Sequence, residues 1–246
     1  MVEVLLPILL AVILVSLISL VGATLFFLRI KTVEKAIFPL VAFASGSLLG
    51  AAFLNLLPEA LDQIPGTTVF PIVLFGIVIF FVLERMLYWH HCHNGICEVH
   101  PFTYLNLIGD GTHNFVDGMI IAASFLLSMP LGMVTTVAVI LHEVPQELGD
   151  FGILLYGGFS RKKAISFNFL SAITAIVGAL IAFFYLDMLN LSPLLIAFAA
   201  GGFIYLACVD LLPRLHGEVN MRKSVFQLLL FLGGIAVIQI LHLFVG

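Results

Sequence analysis

Two short strings, HNFVDG at 113–118 and HEVPQELGD at 142–150, place metal-ligating side chains inside apolar segments of the chain. Imidazole, carboxylate and carboxamide groups are costly at the depth of a bilayer, so a cluster of them there usually lines an ion path. Their mixed nitrogen and oxygen donors suit zinc, iron, manganese or cadmium better than magnesium or calcium, which prefer shells of oxygen alone. The strings therefore predict a site for a divalent transition-metal ion within the membrane.

Helical periodicity groups these side chains into two sets. Residues i and i+4 differ by about 40° around a helix and direct neighbours by about 100°, so Asp117 lies between His113 and Asn114. Gln146 has the same relation to the two ligands that open the second string. Two facing helices would form two adjacent metal sites, one from His113, Asp117, His142 and Gln146, the other from Asn114, Asp117, Glu143 and Gln146.

Membrane-spanning helices are needed to position these strings, and the composition predicts them along the whole chain. The 246 residues are 62% hydrophobic and 10% charged, against about 45–50% apolar and about 25% charged in a soluble domain. A span needs about 20 apolar residues, and eight such runs are predicted at roughly 5–28, 37–61, 70–90, 103–127, 131–156, 163–185, 193–213 and 225–245. We therefore expect one all-α membrane domain over residues 1–246, with the metal site between helices 4 and 5.

The distribution of basic residues predicts the orientation of these helices. Lys and Arg accumulate in cytoplasmic loops, and all ten of them lie at the odd-numbered connections between the predicted spans. Both termini are therefore expected to face outside. The net charge of −4 argues against a nucleic-acid partner, which would require a basic patch.

Polar residues continue from the two strings toward the predicted cytoplasmic side only. On the outer side of Asp117, Ile120 and Ile121 follow, so an outer gate closed by apolar side chains is expected. The second helix carries polar residues at its outer end that would form an entrance. The predicted pathway is therefore lined by Asn55 and Glu59 outside the site and by Asp110 and Asp150 inside it.

The loop at 86–102 is rich in His and Cys and is predicted to be cytoplasmic. Such a density of ligands can chelate transition metals, although the spacing matches no structural zinc finger. His91 and His93 would then receive the ion after transport. The alternative is an interfacial loop anchored at the headgroups by Tyr88 and Trp89. Its thiols are expected to stay reduced, without a disulfide.

The two strings resemble the signature helices of the ZIP family of divalent-metal transporters, in particular the branch with His-Glu-x-Pro-His-Glu-x-Gly-Asp in its fifth span. Further resemblance lies in ASGSLLGAAFLNLLPEA, FNFLSAITAIVGALIA and AGGFIYLACVDLLPR of spans two, six and seven. The resemblance implies metal uptake toward the cytosol through a binuclear site and assigns metal binding to the six residues that periodicity selects. It also implies homodimers in which a transport half moves against a scaffold half.

The chain departs from the family pattern at three places. Gln146 stands where that branch has a second His and other members have Glu, so this ligand is neutral and weaker. Val116 replaces a common Pro of the fourth span, and Thr174 and Ala175 occupy a region where some members place an acidic ligand. The resemblance therefore leaves affinity and metal preference open.

The sequence thus predicts an integral membrane transporter with a divalent metal ion as its substrate, the lipid bilayer as its surroundings and no required cofactor. Short loops and small size favour a prokaryotic inner (plasma) membrane. One rival is an intramembrane zinc hydrolase, because His142 and Glu143 begin like an HExxH helix; Gln146 in place of the second His and Pro145 within the helix argue against it. The other rival is a sensor that binds metal without transporting it.

Overall fold

The computed structural model describes residues 2–21, 30–88, 101–186, 189–217 and 219–245. Within these ranges the chain is helical and contains no strand, which confirms the predicted all-α class. The His/Cys loop, with His91 and His93, falls almost entirely outside the described residues, so its proposed role in receiving metal stays a prediction.

Eight helices follow one another in the described ranges, and each coincides with one of the predicted apolar runs. Three of them, α2, α6 and α7, consist of successive segments because their hydrogen-bond pattern changes along the helix. The helices are α1 (Val2–Ile18), α2 (Ile30–Ala51, Ala52–Leu56, Leu57–Gln63), α3 (Gly66–Tyr88), α4 (Pro101–Leu127), α5 (Met129–Tyr156), α6 (Arg161–Ala172, Thr174–Ile181, Ala182–Leu186), α7 (Ser192–Tyr205, Leu206–Leu211, Leu212–Leu215) and α8 (Met221–Val245).

Six of these helices, α1 to α3 and α6 to α8, are long and apolar enough to cross a membrane. The helices α4 and α5 contain 27 and 28 residues, about 40 Å at 1.5 Å per residue, which exceeds the roughly 30 Å hydrocarbon core. Their polar strings lower their hydropathy. Eight crossings, with both termini on one side, remain the predicted arrangement of the chain.

The two helices that carry the polar strings occupy the middle of the bundle. In the described residues α5 packs against α1, α2, α4, α6 and α8, while α4 packs against α1, α3, α5, α6 and α7. Neighbouring helices therefore shield α4 and α5 from lipid. That enclosure allows them to be less apolar than the helices around them, because polar groups are tolerated in a membrane when they face the bundle interior.

A tight hairpin sets the relative depth of α4 and α5. Ser128 alone separates them, and its side chain accepts a hydrogen bond from the backbone N–H of Leu131 at 3.3 Å, an N-terminal cap for α5. The number of residues from His113 to Ser128 is nearly equal to the number from Ser128 to His142. Both histidines therefore lie about 21 Å from the turn, and an antiparallel pair brings them to the same level.

Glycines bring the backbones of α4 and α6 into near contact. A Cβ on Gly118 would lie 1.9 Å from the carbonyl oxygen of Ala175, and one on Gly178 would lie 2.0 Å from that of Phe115. Real side chains cannot approach a backbone so closely. In a bilayer such close packing replaces the hydrophobic driving force that lipid does not supply.

The same packing joins two further pairs of helices. A Cβ on Gly46 of α2 would lie 1.9 Å from the carbonyl oxygen of Phe231 in α8, and one on Gly201 of α7 would lie 2.1 Å from that of Val73 in α3. Among helix pairs with at least one member other than α1, α4, α5 and α6, the α2–α8 and α3–α7 pairs make the most extensive contacts. The bundle is therefore assembled from glycine-mediated pairs.

Regular helical periodicity fails at three π-helical segments, Ala52–Leu56, Ala182–Leu186 and Leu206–Leu211. Such segments add a residue to the turn and occur often at functional sites. The first contains Asn55, which is buried and whose Nδ2 lies 3.5 Å from the carbonyl oxygen of Gly50. Angular positions calculated from 100° steps are therefore not reliable across these segments.

We expect Gly118→Ala to destabilise the protein, because the added methyl collides with the backbone of α6; over-packing of this kind typically costs about 1–3 kcal/mol. The measurement is thermal unfolding in detergent, followed by size-exclusion chromatography. Gly152→Ala is the matched control, since nothing lies within 4 Å of a Cβ at that exposed position. Equal melting temperatures for the two variants would contradict the close α4–α6 contact.

Candidate metal centre

Four side chains from α4 and α5 converge on one point in the middle of the bundle. His113, Asp117, His142 and Glu143 each offer one ligand atom, and these atoms all lie within 4.8 Å of one another. The side chain of His113 is 10% exposed and the other three are 1–2% exposed. The structure thus brings together two imidazoles and two carboxylates at a depth that water barely reaches.

The distances place the histidine Nε2 atoms at the centre of this group. The two Nε2 atoms are 3.2 Å apart. His142 Nε2 lies 3.1 Å from Asp117 Oδ2 and 3.6 Å from Glu143 Oε1, while His113 Nε2 lies 3.7 Å and 3.5 Å from the same two oxygens. A cation located among these atoms would face two nitrogens and two oxygens, a donor set typical of zinc and its neighbours in the first transition row.

The backbone orients His142 toward the centre. Its Nδ1 lies 3.1 Å from the carbonyl oxygen of Ala138, one turn earlier in α5. A carbonyl oxygen only accepts, so Nδ1 carries the ring proton and donates it, which leaves a lone pair on Nε2. Metal-binding histidines are commonly held by such a contact through the nitrogen that does not bind the metal.

Several oxygens of the centre have no donor to satisfy them. Among the described residues, both carboxylate oxygens of Asp117 and Oε1 of Glu143 are buried without a hydrogen-bond partner. An isolated buried carboxylate is strongly unfavourable. Two such groups carry about the charge needed to neutralise one divalent cation, so the centre is electrostatically suited to hold one.

Aromatic rings from α3 and α7 close the sides of the centre. Phe80 packs edge-on against His113, with ring centroids 6.2 Å apart, and Phe203 packs against His142 at 5.8 Å. Apolar walls of this kind keep water away from the ligands, and a lower local dielectric strengthens the attraction between a cation and the carboxylates.

A cavity of about 630 Å³ leads to His113 from the side of the bundle where α4 begins and α5 and α7 end. Asp110 and Asp150, which the sequence placed on the inner pathway, both line this cavity. On the other side of the centre Ile120 and Ile121 are fully buried. Carboxylates therefore line the cavity on one side of the centre, and fully buried apolar side chains lie on the other.

Asn55 and Glu59, the predicted entrance residues, do not line this cavity. Asn55 is buried within α2. Glu59 is half-buried and its Oε1 accepts a hydrogen bond from Gln63 Nε2 at 3.4 Å. The role of these two residues as an entrance therefore stays a prediction.

The grouping of ligands differs from the one that helical angles suggested. Glu143 joins the two histidines, whereas periodicity had assigned it to a second site with Asn114. The long glutamate side chain and the rotation of α5 against α4 decide this, and neither is contained in angles around a single axis. Asn114 Nδ2 donates to Asp110 Oδ1 at 2.9 Å, while Asn114 Oδ1 is buried without a hydrogen-bond partner in the described part of the chain. Gln146 lines the cavity next to the centre.

Sequence reasoning missed Glu147. This residue is 1% exposed, one turn from Glu143 on the same side of α5; its Oε2 accepts a hydrogen bond from Asn168 Nδ2 and its Oε1 has no partner among the described residues. Its spacing of four from Glu143 was the available signal. It adds a further buried carboxylate below the centre.

Side chains of α6 also contact the polar pathway, although sequence analysis gave them no part in it. The hydroxyl of Ser171 donates to Asp110 Oδ2, and Thr174 Oγ1 donates to the carbonyl oxygen of Gly111 at 2.6 Å. Thr174 stands where some members of the resembling family carry an acid. In this chain α6 therefore supplies neutral hydrogen-bond donors that hold α4.

Two polar pairs at the wider end of the cavity lie far from the signature strings in sequence. Tyr205 donates to Glu84 Oε2 at 2.6 Å, and Arg214 pairs with Asp210 Oδ1 at 2.6 Å. Asp210 belongs to the π-helical segment of α7. These pairs place α3 and α7 around the same cavity as α4 and α5.

A profile of the family described as ZIP Zinc transporter matches residues 2–100 and 90–242 of the chain. The chain belongs to the ZIP family. It is 37% identical over 222 residues to zinc transporter ZIP13 of Pongo abelii, covering 84% of this chain and 67% of that protein. It is 33% identical over 262 residues to ZIP13 of Homo sapiens, covering 84% and 71%. Zinc transporter SLC39A7 of Rattus norvegicus is 42% identical over 149 residues, 57% of this chain and 32% of that protein.

Membership of the ZIP family confirms that the chain is a multi-pass integral membrane transporter and not an enzyme. The hydrolase suggested by the start of an HExxH helix is thereby set aside. These three relatives come from mammals, so the comparisons give no support to the prediction of a prokaryotic membrane.

We expect Asp117→Asn to remove most of the stabilisation that Zn²⁺ gives to the detergent-solubilised protein. In wild type the stabilisation should approach about 2.7 kcal/mol at a hundredfold excess over the dissociation constant. The variant should be more stable than wild type without metal, because a buried unpaired charge has been removed. The measurement is thermal unfolding with and without Zn²⁺.

Glu3→Gln is the control for this experiment, since Glu3 is an exposed carboxylate at the start of α1. It should keep the full Zn²⁺-dependent shift. An undiminished shift in Asp117→Asn would mean that the metal binds elsewhere.

Proposed function

We propose that this chain carries a divalent transition-metal ion, zinc first and iron, manganese or cadmium as alternatives, from outside the cell into the cytosol. The convergence of two imidazole nitrogens and two unpartnered carboxylates inside a membrane bundle is the observation that carries the proposal. The relatives named zinc transporters support the choice of zinc.

The ion would pass Glu59 and Asn55, lose its water and bind among the four ligands. The carboxylates of Asp117 and Glu143 offset the loss of hydration, because three of their four oxygens are buried without a hydrogen-bond partner among the described residues. The ion then leaves through the cavity toward the cytosol. An interior-negative potential assists this direction by about 4.6 kcal/mol for a divalent ion at 100 mV, twice the value for a single charge. On this side the ion meets Asp110, Asp150 and then the loop with His91 and His93.

A second ion would bind beside the first. Asn114 Oδ1 is buried and unpartnered, and Gln146 lines the adjoining cavity. Together with an oxygen of Asp117 and of Glu143 these amides would form an oxygen-rich site. It should be the weaker of the two, because amide oxygens are neutral and zinc prefers nitrogen and sulfur donors.

Alternating access requires the outer apolar barrier to open while the inner cavity closes. A movement of α4 and α5 relative to the α3–α7 pair is supported by Phe80 and Phe203, whose described contacts with the ligand histidines are ring contacts. We propose that the chain forms a homodimer in the plasma membrane of a prokaryote. The dimer would provide the fixed half of the transporter, against which α4 and α5 move.

A sensor that binds metal without moving it is the second candidate, since it would need the same centre. The cavity on one side of the centre, with Asp110 and Asp150 in its wall, favours transport, because a closed sensing site would not require an exit. Hydrolysis is disfavoured by geometry as well as by family: Glu143 Oε1 lies within 3.6 Å of both histidine Nε2 atoms, in the position of a ligand and not of a base.

We expect Asp117→Ala to reduce the uptake of radioactive zinc into proteoliposomes to the level of empty vesicles, because the centre loses the carboxylate that lies nearest to His142. Glu3→Ala should transport like wild type. Uptake by Asp117→Ala at the wild-type rate, with equal protein inserted, would refute the assignment. Binding without uptake in wild type would instead identify a sensor.

We expect wild type to bind two zinc ions per chain and the double variant Asn114→Ala/Gln146→Ala to bind one, since only the first site keeps its four ligands. Equilibrium dialysis of the purified protein measures this ratio. Glu3→Gln provides the control for nonspecific binding. One ion in wild type would leave the transport proposal intact but would overturn the binuclear site.

A further inference from the structure

The outer surface of α4 and α6 encloses an apolar groove of about 550 Å³ that is separate from the metal cavity. Tyr104 and Phe115 lie near its two ends on α4, and Phe167 and Leu170 line it from α6. Leu170 is 59% exposed and Tyr104 is 45% exposed. The groove therefore opens outward from the bundle.

Three hydroxyl groups in this groove donate hydrogen bonds to other groups of the protein. Thr112 Oγ1 donates to the carbonyl oxygen of Ile108 at 2.7 Å, Thr174 donates to that of Gly111, and Ser171 donates to Asp110. A polar ligand such as a sugar or nucleotide would thus find few groups to bind it. The groove favours an occupant that is apolar along its length.

Basic residues lie at one end of the groove. Lys163 Nζ lies 5.7 Å from the ring centroids of Tyr104 and of Phe167, two rings that line the groove, and 4.0 Å from that of Phe159. Exposed Lys162 precedes it in the first turn of α6. This end therefore combines positive charge with the entrance to an apolar channel.

The length of the groove matches one leaflet of a bilayer. Tyr104 and Phe115 are separated by about 16 Å along α4, and half of the hydrocarbon core measures about 15 Å. The basic end lies where the odd-numbered connections are predicted to face the cytosol, and the cytoplasmic leaflet carries most of the anionic lipid.

We propose that an anionic phospholipid binds here, with an acyl chain in the α4–α6 groove and its phosphate beside Lys162 and Lys163. The site is distinct from the metal centre and from the transported ion. Ile108 and Thr112 line both the groove and the metal cavity, so a bound lipid lies against the same turns of α4 that wall the exit. Lipid occupancy would thus stabilise this wall.

Site-directed fluorescence quenching tests the proposal. Trp89 is the only tryptophan of the chain, and Trp89→Phe removes its fluorescence. Leu170→Trp is then added to this variant as a probe in the groove. The full-length protein is reconstituted into vesicles with increasing fractions of phosphatidylglycerol or phosphatidylcholine that carries brominated chains. Half-maximal quenching should need a lower mole fraction of phosphatidylglycerol than of phosphatidylcholine. The preference should fall by about fivefold for each of Lys162→Gln and Lys163→Gln.

Three controls separate this site from general lipid contact. A Leu229→Trp probe on the exposed face of α8 should show no preference between the lipids. Arg222→Gln/Lys223→Gln should leave the preference at the Leu170→Trp probe unchanged, and Lys163→Arg should retain it. Equal quenching by the two lipids at the Leu170→Trp probe, or a preference that survives the loss of both lysines, would overturn the proposal.

Discussion

The burial of two carboxylates without hydrogen-bond donors is the constraint on which this structure depends. Asp117 and Glu143 are almost completely enclosed, and three of their oxygens lack a partner in the described part of the chain. An unpaired buried charge is so unfavourable that proteins keep one only where something else compensates it. In this bundle the compensation available is a cation, and the two imidazoles supply the nitrogen donors that make a transition metal the fitting one.

The arrangement of the helices follows from that constraint. A centre of this kind must be kept from lipid and from bulk water, so its two helices occupy the interior and the more apolar helices surround them. The single-residue turn at Ser128 matches the depths of the two ligand strings. The rings of Phe80 and Phe203 complete the enclosure with contacts that need no directional bond.

The polar residues of α6 contact groups of α4 and α5 through neutral hydrogen-bond donors. Ser171, Thr174 and Asn168 donate hydrogen bonds to groups on α4 and α5 where an acid in this region would add negative charge. Neutral donors thus hold the carboxylates of Asp110 and Glu147 in place without adding negative charge. Gln146 is also neutral, so an amide at this position leaves the centre with less negative charge than a carboxylate would.

The sequence by itself determined the class of the protein and its eight helices, because apolar runs are local properties of a chain. Its i, i+4 spacing also selected, among other candidates, the four side chains that converge in the structure. The partnership of Glu143 with both histidines, the π-helical segments, the contribution of Glu147 and the participation of α3, α6 and α7 were decided only by the tertiary structure. They depend on how far one helix is rotated and translated against another, and that is set by glycine contacts between segments distant in sequence, which no periodicity along one helix contains.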